Sequence, residues 1–106
     1  MKWTVKIHKD AESELGKLPV GLRARLFRLM ELIEEHGLEN VGAPHVKHIE
    51  GKIWELRAKA KEGIARGLYV TLSGREVVVL RVFQKKQQKL PPRELKVARE
   101  RMKEIK

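Results

Sequence analysis

From Ile53 to Gln84 the chain carries three strand-like segments, the alternating IWELR and then IARGLYVTL and EVVVLRVF, with turn signals at Glu62-Gly63 and Ser73-Gly74. Strands joined by such short connections are antiparallel neighbours, so this half of the chain has little choice but to form a small meander. The third segment runs into a basic tip. From Val77 to Arg93 there is no acidic residue, while Arg81, Lys85, Lys86, Lys89 and Arg93 are cationic. A strand holds its side chains more firmly than a loop, which suits a site that must fix a polyanion in one geometry.

The remaining segments supply cover for that sheet. Trp3, Val5 and Ile7 alternate with Thr4, Lys6 and His8, the period of a half-buried strand. Asp10 is placed to N-cap a short helix carrying Ala11, Leu15 and Leu18, and Pro19 and Gly21 mark a turn. Leu22, Leu26, Leu29, Met30 and Ile33 then keep helical spacing to about His36, where Gly37 is a natural stop. After GLENVGAP, Val46 and Ile49 sit in a short basic segment that ends in a Gly51-Lys52 turn. A last helix opens at Pro91-Pro92 and carries Leu95, Ala98, Met102 and Ile105 on one narrow stripe. The expected fold is α+β in the order β-α-α-β-β-β-α: a helical hairpin on a small antiparallel sheet with a C-terminal helix. At 106 residues one domain is expected over the whole chain, 1–106.

Charge narrows the partner class. The formal net charge is +10, and a field of that sign concentrates polyanions, so nucleic acid or an acidic protein is the expected partner class. The chain has no cysteine, which removes disulfides, thiolate nucleophiles and cysteine metal sites. No stretch reaches the roughly 18 apolar residues of a membrane span, and MKWTVKIH is too polar for a signal peptide. A cytoplasmic protein without a membrane partner is expected.

The catalytic inventory is small. Ser13 and Ser73 have no triad-like setting, and His8, His36, His45 and His48 form no recognised metal pattern. No metal and no cofactor is expected. What remains is arginine, lysine and one tyrosine on strands. Alternation sends Arg57 to the face opposite Trp54 and Leu56. It also separates Arg66 from Tyr69, unless a bulge at Gly67 brings them to one face. Arg81 has the parity of Val77, Val79 and Phe83, and an arginine within that apolar run needs a partner or an open groove. Guanidinium groups grip phosphate in bidentate fashion and stabilise charge developing on its oxygens. RNA brings its own nucleophile, the 2′-hydroxyl, so such a set suits phosphodiester cleavage without serine or metal. A lysine of depressed pKa, a tyrosine or a histidine would move the protons. The bland reading of Arg57 and Arg66 is solvated strand residues paired with Glu55 or Glu62.

Trp54-Glu55-Leu56-Arg57, Arg66 followed by Tyr69, Phe83-Gln84-Lys85-Lys86, Pro91, and Glu94-Leu95 with Ala98 and Arg101 resemble the RelE/ParE superfamily of toxins, nearest its HigB-like, phage-derived branch. The resemblance spans nearly the whole chain. It implies a metal-independent, ribosome-dependent mRNA endonuclease held inactive, in a toxin–antitoxin hetero-oligomer, by a small HigA-like helix-turn-helix antitoxin. Carried over by position, Arg57 and Arg66 match the strand arginines of the family site and Lys85 and Lys86 its basic pair; Tyr69 completes the expected catalytic set as a candidate for moving the protons. Lys47, His48, Lys59, Lys61, Arg81, Lys89 and Arg93 are then the expected RNA contacts, with ribosome and mRNA as partners. Two positions depart from the family pattern. Leu90 stands where a capping threonine is usual, and no tyrosine or histidine follows Tyr69. The alternatives are a ParE-like gyrase poison without RNase activity, or a relative that binds RNA or antitoxin without cutting.

Overall fold

A computed structural model of the chain describes residues 2–42 and 44–105. Strand β1 (Thr4–Ile7) leads into helices α1 (Lys9–Gly16) and α2 (Val20–His36). After a 3-10 turn at Leu38–Asn40 come β2 (Val46–Glu50), β3 (Ile53–Ala60), β4 (Gly63–Leu72), β5 (Glu76–Gln84) and helix α3 (Pro92–Met102). The sheet order is β1-β5-β4-β3-β2. Strands β2 to β5 form the antiparallel meander that the short turns demand.

Two features of the sheet differ from expectation. Strand β1 pairs in parallel with β5, from Thr4↔Glu76 to Ile7↔Val79, so the sheet is mixed. Hydrophobic alternation reports which face is buried but not the direction of the neighbouring strand. The basic segment at Val46 is also a strand, giving five; as an edge strand it is mostly solvent-facing and lacks a clear apolar period.

Both faces of the sheet are covered. Leu15, Leu22, Leu26, Leu29 and Ile33 of the helical hairpin pack on Leu56, Ala58, Ala65, Tyr69, Val77, Val79 and Val82. Leu95, Ala98 and Met102 of α3 pack on Ile53, Leu68, Val70, Val78 and Leu80. Strand β5 is therefore apolar on both sides, which is why Val77–Leu80 reads as a continuous run. Each fully buried leucine here contributes about 2 kcal/mol.

A bulge sets the phase of β5. The register passes from Leu68↔Arg81 to Tyr69↔Val79, leaving Leu80 as the extra residue. Arg81 and Phe83 are thereby turned to the α3 face, whereas Val77 and Val79 point to the hairpin. Gly67 carries no bulge, and β4 alternates regularly. The β5 bulge is held by side chains from both helical layers. The Val82 N–H donates to Glu14 of α1 at 3.1 Å, and Arg101 of α3 donates to the Leu80 carbonyl at 2.8 Å. Glu14 also binds Arg81 and, at 2.8 Å, Arg101, while Arg81 binds Glu94 at 2.6 Å.

Helix ends follow local chemistry. His8, not Asp10, caps α1: its Nδ1 accepts from the Asp10 N–H at 3.1 Å, and Asp10 and Glu12 occupy the first turn, where acidic charge is favourable. Gly37 closes α2 at φ +91°, with its N–H on the Ile33 carbonyl. Helix α3 starts after Pro91, which stands at the N-cap and has no side-chain acceptor, and Leu90 before it supplies none either. Among the described residues no helix is long and apolar enough to cross a membrane.

Candidate functional site

Cross-strand register puts Arg57, Arg66 and Phe83 side by side on β3, β4 and β5, on the face that α3 only partly covers. Lys85 extends this row. Its N–H donates to the Ile64 carbonyl at 2.7 Å, prolonging the β4–β5 ladder one residue past the strand and fixing where the lysine leaves the backbone. Arg66, Phe83, Lys85, Lys86, Arg93 and Glu94 line a cleft of about 230 Å³ beside the start of α3.

Glu55 anchors the cleft and is only 2 % exposed. Its Oε2 lies 3.1 Å from Arg66 Nε and its Oε1 lies 3.5 Å from Arg57 Nε. The Arg66 contact is ionic rather than an aligned hydrogen bond, since that Nε finds no acceptor in good geometry. Arg66 is 5 % exposed, and its Nη2 donates to the Gln88 carbonyl at 3.1 Å. Two guanidinium groups are thus oriented by one buried carboxylate. The pairing alone would be marginal, because desolvation of both charges offsets their attraction; its effect is to fix geometry.

The field at Lys85 is positive. Desolvation, then the charges of Arg66 and Arg57, hold its ammonium pKa below the usual lysine value; Glu55 opposes this and Lys47 adds to it. Lys47 lies directly opposite Glu55 on β2. Lys86 and Arg93 are exposed at the cleft, with Arg93 Nε 3.9 Å from Glu94, and Lys89 is exposed on the adjoining loop.

Several expected site residues lie elsewhere. Tyr69 is on the hairpin face, 1 % exposed, because β4 has no bulge to bring it beside Arg66. Burial pushes its phenol up to about 12, so it is outside the cleft and resists ionisation. His48 pairs with Trp54 on that same face, packs edge-to-face with it at 4.9 Å, and bonds the Gly51 carbonyl. Lys59 and Lys61 line a separate groove of about 620 Å³ with Arg25, Arg28 and His45. Arg81 faces the cleft side, yet its guanidinium is engaged by Glu14 and Glu94. Burial opposes its charge, but those carboxylates outweigh that and raise its pKa. The parity that links it to Val77 and Val79 fails at the bulge.

Glu55 is the residue that strand chemistry alone could have nominated. It shares parity with Ile53 and Arg57, and a carboxylate on a half-buried face requires a cationic partner. Among the described residues no group of three or more His, Asp or Glu side chains is placed to hold a metal ion.

Residues 13–103 match the family model described as phage derived protein Gp49-like (DUF891). Among solved structures, a double-arginine mutant of the E. coli toxin RelE in the free state superposes with a TM-score of 0.62, at 18 % identity over 99 % of each chain. The archaeal RelE–RelB complex from Pyrococcus horikoshii OT3 gives a TM-score of 0.58 at 22 % identity, covering 83 % of this chain and 100 % of that one. No curated protein matches the sequence. With the family model spanning most of the chain, the chain belongs to the phage-derived Gp49-like family, and its fold is that of RelE.

Proposed function

We propose that this chain is the toxin of a type II toxin–antitoxin pair and acts as a metal-independent, ribosome-dependent mRNA endonuclease. The observation that carries this is the convergence of Arg57, Arg66 and Lys85 on one open face around the buried Glu55. Such a cleft grips a phosphodiester through guanidinium N–H groups. The substrate's 2′-hydroxyl attacks the adjacent phosphorus and loses its proton to solvent. The P–O5′ bond breaks, leaving a 2′,3′-cyclic phosphate. Lys85, the cleft residue whose proton is held less tightly than usual, protonates the departing 5′-oxygen. Arg57 and Arg66 neutralise the charge that builds on the phosphoryl oxygens, and Lys86 and Arg93 hold neighbouring phosphates.

The partner is a small helix-turn-helix antitoxin of the HigA type; that an archaeal RelE protein of the same fold was solved as a complex with RelB supports a protein partner, though not its type. Expression without antitoxin is expected to arrest growth, with primer extension revealing cuts in translated mRNA. Arg66→Ala, and Lys85→Ala with Lys86→Ala, are expected to abolish them. A double-lysine variant that cuts as well as its parent sinks the assignment. One observation favours a second reading, a binding-only relative: Arg66 is nearly enclosed under Gln88. That reading expects tight RNA or antitoxin binding with no cleavage on programmed ribosomes. A ParE-like gyrase poison would instead raise DNA-damage signalling and leave mRNA intact.

A further inference from the structure

The chain has two Trp, one Tyr and two Phe. Trp3, Trp54 and Tyr69 belong to the hairpin side of the sheet, and Phe27 stands exposed on α2. Phe83 is the exception. It sits on the cleft face in register with Arg66, packs only partly against the α3 cluster, and remains half-buried.

Its position between two concavities is the informative fact. On one side lies the cleft with Arg66, Lys85, Lys86 and Arg93. On the other lies a second cleft of about 350 Å³, lined by Lys17, Leu18, Pro19 and Arg81. Phe83 and Gln84 form the wall common to both. The carboxylates of the two clefts are engaged: Glu14 binds Arg81 and Arg101, and Glu94 binds Arg81. Neither therefore presents bare negative charge to a ligand. A flat apolar ring set in a strand, with the cationic cleft on one side and Lys17 on the other, is the arrangement that holds unpaired nucleotides, because every base has a π face and every linkage a phosphate.

We propose that Phe83 is a base-stacking platform, so that the cleft takes single-stranded RNA with one base laid on the phenyl ring and the flanking phosphates in the two adjoining clefts. This rests on the cleft being an RNA site and adds how the strand is oriented in it. In this role Phe83 is a positioning and specificity residue. Double-stranded RNA, whose bases are already stacked, would be excluded.

The test uses the full chain and a short single-stranded RNA carrying one 2-aminopurine, read by fluorescence quenching and anisotropy. Binding is expected to quench the 2-aminopurine. Phe83→Leu, which keeps apolar packing against α3, is expected to remove the quench and weaken binding about tenfold. Phe83→Trp is expected to restore both, an outcome that a merely structural role would not produce. Thermal melts establish that each variant is folded. If Phe83→Leu fails to fold, Phe83→Trp alone decides, since a folded variant that does not quench overturns the proposal. Unchanged affinity and quench in Phe83→Leu, with binding lost in the double-lysine variant, would overturn stacking and leave the RNA cleft standing. Unchanged binding in both variants would remove both.

Discussion

At the scale of single residues, the cleft works through charges that alter one another. Lys85 lies in a field made by Arg66, Arg57 and Lys47 against Glu55. Burial is the largest cause of its lowered pKa, and the arginine charges come next. Removing an arginine removes repulsion on the ammonium, so Arg57→Gln is expected to move the Lys85 titration up towards its ordinary value. Glu55→Gln removes the opposing attraction and is expected to move it down. Side-chain NMR of Lys85 across alkaline pH measures both shifts. Equal titration in the parent and both variants would disprove electrostatic coupling across the cleft. Alternation within each strand made the side of Arg57 legible against Trp54 and Leu56, and that of Arg66 against Tyr69; that the two arginines share a face follows only from the β3–β4 register. Plain alternation also puts Tyr69 on the other side from Arg66, where the structure has it; what no local signal announced is the β5 bulge at Leu80, which turns Arg81 away from the face of Val77 and Val79.

At the scale of elements, the β5 bulge is what joins the two helical layers to the sheet. A bulge leaves ladder groups unpaired. Here Glu14 takes the Val82 N–H and Arg101 takes the Leu80 carbonyl, while Arg81 bridges Glu14 and Glu94. These partners come from α1, β5 and α3, up to 87 positions apart, so no local pattern could reveal them. The turns and faces of the meander were legible because they are local. The parallel β1–β5 pairing was not, for the same reason as the network. Burial by itself would raise the Glu14 pKa; the Arg101 hydrogen bond, the Val82 N–H and the charges of Arg81 and Arg101 outweigh it and hold the carboxyl below 4.5. A depressed folded-state value means that the carboxylate contributes stability above about pH 4.5, lost as pH falls through that lower value. Glu14→Ala is expected to cost about 3 kcal/mol at pH 7, by leaving two arginines short of a partner. The gap between parent and variant is expected to narrow as pH falls below the usual carboxylate range and through the lowered Glu14 value. Urea unfolding across this pH range measures it, and a gap that stays constant with pH would show that the carboxylate's charge is not what stabilises the bulge.

At the scale of the molecule, a net charge of +10 foretells a polyanion but not where it sits. The fold resolves this by pairing. Arg81 and Arg101 are bound to carboxylates within the core layers, and Lys6, Arg28 and Arg99 to Glu76, Glu31 and Glu50. Around the cleft, Lys85, Lys86 and Arg93 remain exposed or partly so, and Arg57 is a third exposed. If those four side chains neutralise phosphates, each releases counterions from single-stranded RNA, and the logarithm of affinity falls with the logarithm of salt at a slope of about −3. Lys85→Ala with Lys86→Ala is expected to reduce that slope by about 1.4 units, since two contacts are lost. Alanine at Lys2 and Lys103, both exposed and neither lining the cleft, is expected to leave it unchanged. Anisotropy titrations over a range of salt concentrations separate the cases. A slope that falls equally for both pairs would mean that RNA feels only the overall charge. A slope that falls only for the cleft pair ties the polyanion to the end of β5, where the sheet, the bulge network and the start of α3 meet.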